Sequence, residues 1–147
     1  MKSLNKFNLT VTSNSANESF IRSAVSAFIA QLDPTIEELS DIKTAVSEAA
    51  TNCIVHAYKD TIGKIFITCE IFENRTITVK VRDRGCGIEN IKQAMEPLFT
   101  TGGSERAGLG FAVMESFMDK VKVSSKEDKG TTVTLYKKLI RAKYEKP

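Results

Sequence analysis

Apolar and polar positions alternate over residues 7–13, with Phe7, Leu9 and Val11 on one side and Asn8, Thr10 and Thr12 on the other. A period of two predicts a half-buried strand. The period then changes. Ile21, Val25, Phe28, Ile29 and Leu32 recur at helical spacing, which predicts a helix over residues 17–32 that ends at Asp33-Pro34. Thr35 followed by Glu38 has the form of a capping box and opens a second helix. Its apolar positions Ile36, Leu39, Ile42, Val46, Ala49 and Cys53 run to about Ala57, and Gly63 breaks the pattern. The stretches "KIFITCEIF" and "RTITVKVRD" return to a period of two and predict strands joined by a turn near Glu73-Asn74. A short helix over about Glu89 to Met95 and a loop over 97–107 follow. A third helix begins near Gly108 and runs to about Met118, and a hairpin turning around Asp128 to Gly130 closes the chain.

The order β-α-α-β-β-loop-α-β-β predicts an α+β, two-layer α/β sandwich. Its mixed, mostly antiparallel sheet would carry helices on one face. The length suits a single domain over residues 1–147, with a basic tail over about 137–147. The composition, 41% apolar and 27% charged, is that of a soluble globular chain. The three cysteines form no CxxC pair and the only histidine is His56, which argues against disulfide and structural zinc frameworks. With no signal peptide and no membrane-spanning run in the sequence, the expected location is cytoplasmic, without membrane association. The net charge of +3 raises the question of nucleic acid. However, Lys137, Lys138, Arg141, Lys143 and Lys146 against Glu145 outweigh that excess, leaving the rest of the chain slightly acidic. A terminal run of this kind is more often a solvated tail than a nucleic-acid site, so no direct nucleic-acid partner is expected.

Four features carry chemistry. Glu48 and Asn52 are four apart on the second helix, so they share a surface roughly 100–120° from the centre of its apolar stripe. An amide oxygen suits magnesium, and a carboxylate suits magnesium or general-base work. Asp83-Arg84-Gly85-Cys86-Gly87 ends a strand. An ionised Asp83 only accepts hydrogen bonds, which fits an exocyclic amine such as that of adenine, while Gly85 and Gly87 allow close backbone approach. Gly108-Leu109-Gly110 opens a helix, where exposed N–H groups favour phosphate. Between the glycine pairs, Thr100, Thr101, Ser104 and Arg106 furnish hydroxyls and a guanidinium that could fold over a polyphosphate. Each feature alone is also an ordinary solvated helix pair, capped turn, glycine-weakened helix start or surface loop. Their order and spacing together point to an adenine pocket, a phosphate end and a lid. Neither glycine pair completes a dinucleotide fingerprint, and no P-loop occurs.

This arrangement resembles the Bergerat-type ATP-binding fold shared by gyrase B, heat-shock chaperones, histidine kinases and MutL. Glu48-x-x-x-Asn52 looks like its N box. The two glycine pairs look like its glycine boxes, and Thr132 matches the threonine that supports the adenine-binding aspartate. "NESFIRSAVSAFIAQLDPT", "IKTAVSEAATNCIVHAY", "EPLFTT" and "GLGFAVMESFMD" are similar to the sporulation anti-sigma F factor family, over nearly the whole chain.

That resemblance implies an ATP-dependent serine kinase that is also a sigma-factor antagonist. The implied cofactors are ATP or ADP with Mg2+, with Asn52 as the metal ligand and Glu48 as the catalytic base. It further implies a homodimer in the forespore that binds a sporulation sigma factor and phosphorylates an anti-anti-sigma protein on serine. The family's matching arginine makes Arg22, which lies off the apolar stripe of the first helix, a partner-facing residue. Other readings are a stress-response-type anti-sigma kinase, a catalytically silent nucleotide-gated binding module, and a detached histidine-kinase ATP domain. The last would lack its helical hairpin with a phosphoacceptor histidine.

Overall fold

The computed structural model describes residues 1–58, 61–88, 91, 95 and 110–140. The elements in chain order are β1 (Ser3–Thr12), α1 (Asn17–Ile29), a 3-10 turn (Ala30–Leu32), α2 (Ile36–Thr51) and a π turn (Asn52–Ala57). They continue with β2 (Lys64–Phe72), β3 (Thr76–Asp83), α3 (Phe111–Phe117), β4 (Lys120–Lys126) and β5 (Gly130–Lys138). The helix expected over about Glu89 to Met95 and the loop over 97–107 fall almost wholly outside the described residues.

The strands form one five-stranded sheet in the order β1-β2-β3-β5-β4. All four described pairings are antiparallel. The expected antiparallel character is present, but among the described residues there is no parallel pairing to make the sheet mixed. The reason is connectivity: hairpins join β2 to β3 and β4 to β5, and β5 returns beside β3 with reversed direction.

Alternation along the strands sorts the two faces. On β2, Ile65, Ile67, Cys69 and Ile71 are buried, while Phe66, Thr68, Glu70 and Phe72 are half-buried on the other side. Register aligns the inward residues into rows such as Leu9–Ile67–Val81–Val133–Val123. The helices lie on that face. α1 contributes Ile21, Val25 and Ile29, α2 contributes Ile42, Val46 and Ala49, and α3 contributes Phe111 and Met114. These are the stripes that helical periodicity predicts.

The capping box forms as expected: Glu38 N–H donates to Thr35 Oγ1 at 3.1 Å and Thr35 N–H donates to Glu38 Oε1 at 2.9 Å. Ile36 is a correction. Helical spacing puts it on the apolar stripe, but it is 89% exposed. It is the first helical residue and precedes the turn that meets the sheet. Glu38 is buried instead, because its second oxygen accepts Ile140 N–H at 2.7 Å.

The opposite sheet face is open and cationic. Its rows read Lys6–Glu70–Thr78–Tyr136–Lys120 and Asn8–Thr68–Lys80–Thr134–Lys122. Arg82 and Arg84 lie over the Phe66 ring at 4.6 and 4.8 Å. The basic excess is thus not confined to the terminal run. The slightly acidic remainder of the chain conceals a segregated basic face.

Candidate nucleotide site

The π turn positions much of the site. A residue added to a helical turn shifts everything after it, and such turns favour functional positions. Helical rotation sets Asn52 just past the margin of the Ile42–Val46–Cys53 stripe, yet it is only 9% exposed. Its N–H still donates to the Glu48 carbonyl in α-helical register, before the widened turn, and it shares a helix face with buried Ala45 and Ala49. From the same turn, the Ala57 carbonyl accepts Cys86 N–H at 3.1 Å. The Tyr58 hydroxyl accepts Arg84 N–H and donates to the Lys64 carbonyl, both at 2.7 Å. The N–H groups of Arg84, Cys86 and Ile88 are all anchored, because Ile88 N–H also donates to Ser125 Oγ at 2.8 Å. The first glycine box is a braced loop.

Asp83 closes β3 and is 5% exposed. Its Oδ1 accepts Gly85 N–H at 2.9 Å and Thr131 N–H at 3.2 Å, while Oδ2 accepts the Cys53 thiol at 3.5 Å. Burial raises its pKa, and the hydrogen bonds from Gly85, Cys53 and Thr131 oppose that rise by stabilising the ionised form. Backbone donors occupy Oδ1, so Oδ2 keeps accepting capacity for a ligand amine.

The glycines have clear reasons. A side chain at Gly85 would run into the Ala57 carbonyl. Gly87 has φ +77° and lies against the Lys126 carbonyl. Both let the loop press on its neighbours, the π turn and the β4–β5 hairpin. Gly110, with φ +70°, caps α3, and a side chain there would overlap the Glu48 carboxylate. Glu48 is therefore seated at the second glycine box. Burial raises its pKa, which makes it a better proton acceptor near neutral pH.

Thr132 is a second correction. Register pairs it with Arg82, on the open face. The residue beside Asp83 is Thr131, which is buried and whose Oγ1 meets Ser125 Oγ at 2.8 Å. Strand parity contains this answer: with Val133 and Leu135 inward, Thr131 must point inward and Thr132 outward. Cys53, an apolar position of the helix in sequence, and Tyr58 both meet the loop over residues 83–87 through side-chain hydrogen bonds that periodicity does not reveal. Thr100, Thr101, Arg106, Gly108 and Leu109 lie outside the described residues.

Arg22 sits on α1, half-exposed, with Nε 3.3 Å from Glu18 Oε2. The same Glu18 oxygen accepts Ser47 Oγ at 3.0 Å, one residue before Glu48. Arg22 and Glu48 both line a groove of about 370 Å³, together with Ile36, Leu39, Lys43 and Ser47. Glu48 thus touches two places: the glycine box on one side and the Arg22 groove on the other.

Comparisons with known proteins give the family. Residues 11–137 match the model of the histidine kinase-like ATPase domain, a nucleotide-binding family. The chain is 57% identical over 134 residues to the anti-sigma F factor of Caldanaerobacter subterraneus subsp. tengcongensis, covering 90% of this chain and 93% of that protein. It is 56% identical over 137 residues to the anti-sigma F factor of Clostridium novyi, covering 92% and 95%. In fold it is similar to the RsbU and RsbW domains of a Mycobacterium tuberculosis protein, with TM-score 0.70 at 18% identity over 94% of this chain and 33% of that one. It is also similar to the catalytic domain of the histidine kinase ThkA, with TM-score 0.56 at 18% identity over 95% and 97%. Among the described residues no helix is long and apolar enough to cross a membrane. The chain belongs to the anti-sigma F factor family, within the histidine kinase-like ATPase domains.

Proposed function

We propose that this chain is an ATP-dependent serine kinase and sigma-factor antagonist. It would hold a sporulation sigma factor and phosphorylate an anti-anti-sigma protein on serine, releasing the sigma factor when that protein is unphosphorylated. The observation that carries the reading is the double placement of Glu48, against Gly110 and in the groove lined by Arg22. A protein serine entering along the groove would reach the carboxylate next to the glycine box.

In this mechanism Asp83 accepts the adenine amine, and Gly85 and Gly87 hold the loop beneath it. The segment ending at Gly110, with Thr100, Thr101 and Arg106 before it, serves the phosphates. Glu48 takes the hydroxyl proton as the serine oxygen bonds to the γ-phosphorus and the bond to ADP breaks. The buried amide of Asn52 beside Glu48 offers the oxygen chemistry of a Mg2+ ligand, in a site where substrate phosphates and water would supply the rest. The ion's contribution is charge neutralisation on the transferring phosphoryl group. Arg22 docks both partners. A cytoplasmic homodimer in the forespore completes the reading, by family membership.

The test is single-turnover transfer of labelled γ-phosphate to the purified anti-anti-sigma protein and to its serine-to-alanine variant. Pull-down of the sigma factor with ATP or ADP and sedimentation of the free chain would accompany it. Phosphate on the intact partner alone, with nucleotide-dependent sigma capture, is the expected result. Sigma capture with no transfer would reduce the chain to a nucleotide-gated binding module.

A further inference from the structure

The three cysteines have different surroundings. Cys86 is exposed and its thiol donates only to backbone carbonyls, of His56 at 3.4 Å and Gly87 at 3.5 Å. Cys69 is buried within β2, and burial pushes its thiol up to about 12. Cys53 is 2% exposed, and its thiol alone among these donates to a side chain, Asp83 Oδ2, across 30 positions of sequence. Cys53 is the second residue of the π turn and continues the buried Val46–Ala49 face of α2, where its thiol meets the end of β3.

The remaining contacts of Asp83 show why this matters. Two backbone N–H groups hold Oδ1 and fix the carboxylate at one oxygen. What freedom remains is rocking about the Cβ–Cγ bond, and a donor on Oδ2 restricts it further. A thiol is a weak donor and the adjacent carboxylate oxygen has room for more than one hydrogen bond. We propose that Cys53 is a positioning residue for adenine recognition, its S–H bond orienting Asp83 Oδ2 so that the oxygen's remaining lone pair meets the purine amine. The inference rests on the reading of Asp83 as the adenine acceptor. It assigns no chemistry to the sulfur, which stays a protonated thiol: burial and the Asp83 charge both push its pKa up.

A core-filling cysteine would behave differently, and the difference is measurable in the full-length chain. Calorimetry would compare ADP with purine riboside 5′-diphosphate, which lacks the amine, across acid to neutral pH. Wild-type protein, Cys53→Ala, Cys53→Ser and Asp83→Asn are the variants, with Cys53→Val replacing the alanine if that chain does not fold. Cys53→Ala should reduce the preference for ADP about five-fold. It should also move the acid-side loss of ADP binding to higher pH, because the ionised carboxylate has lost a donor. Cys53→Ser, which restores a donor, should recover both. Equal weakening of the two nucleotides, with serine no better than alanine, would overturn the proposal and leave Cys53 a packing residue. If Asp83→Asn abolishes the ADP preference while Cys53→Ala keeps it, only the role of Cys53 fails. If Asp83→Asn keeps the preference, the adenine assignment itself fails.

Discussion

The Glu48 carboxylate lies against the α-carbon of Gly110, which occupies a left-handed conformation at φ +70° and caps α3. The acid of one box and the glycine of another, far apart in the chain, thus share one contact. Gly110→Ala strikes it twice. An L-residue in this conformation costs about 1–2 kcal/mol, and its methyl group would displace the carboxylate. Urea unfolding should show that loss, and phosphoryl transfer should fall along with it. A variant with wild-type transfer would separate Glu48 from the glycine box.

Glu48→Gln tests the base while keeping the shape. Proton transfer by a placed carboxylate is worth typically about 10²–10⁴-fold, so transfer to the partner serine should fall by at least about a hundredfold. ATP and sigma-factor binding should stay near the wild-type level. Loss of ATP binding as well would move Glu48 from proton transfer to the metal site.

The pH dependence of stability gives an independent check on the same group. Burial raises the folded-state pKa of Glu48. A carboxyl of this kind contributes most to folding below its unfolded pKa, and that contribution is lost as pH rises through the folded value. Glu48→Gln removes the penalty of holding a buried charge. The variant should be no less stable than wild type near neutral pH, and any gain should shrink towards about pH 4. A gain that grew on acidification would have the wrong sign for a desolvated carboxylate.

Much of this site could be read from the sequence because its parts are periodic or punctuated. The stripes Ile21–Val25–Ile29 and Ile42–Val46–Ala49, the Thr35–Glu38 cap and the alternation of β2 and β3 each follow from local geometry. What escaped was set by tertiary contact. No sequence window announces a π turn, and the inward place of Cys53 on the stripe does not reveal that its thiol meets Asp83, 30 residues away. The segregation of cations on the open sheet face needs strand register, which net charge averages away. Thr131 was within reach of the alternation rule, and the one-residue slip to Thr132 moved the assignment through the sheet.

Arg22→Glu addresses partner docking. The native guanidinium is held by Glu18, which also takes the Ser47 hydroxyl. The substitution sets two carboxylates four residues apart on one helix face, so the side chain would swing into the groove with the wrong charge. Interface arginines are frequent anchors, and both sigma-factor and anti-anti-sigma binding should weaken roughly tenfold or more. Nucleotide affinity should be unchanged. Normal capture of both partners would remove Arg22 from the interface.

Asp83→Asn and a pair of threonine variants test the adenine end. Asparagine retains one acceptor and gains an NH2 group. The network fixes which way the amide settles. Gly85 and Thr131 present N–H groups to the Oδ1 position, so the amide oxygen must stay there and the new NH2 must take the Oδ2 position. There it faces the Cys53 thiol and, in the proposed complex, would face the adenine amine, so a donor would meet donors. Losing a hydrogen bond to a charged group costs about 1.5–3 kcal/mol, so ADP affinity should fall roughly ten- to a hundredfold with the fold retained. Thr131→Val removes the hydroxyl that pairs with Ser125, loosening the hairpin that delivers the Thr131 N–H to Asp83. It should weaken ADP several-fold. Thr132→Val lies opposite Arg82 on the open face and should leave ADP binding as it was. Calorimetry on the three variants decides the matter. A Thr132 effect as large as that of Thr131 would mean that the open face, and not the covered one, communicates with the nucleotide.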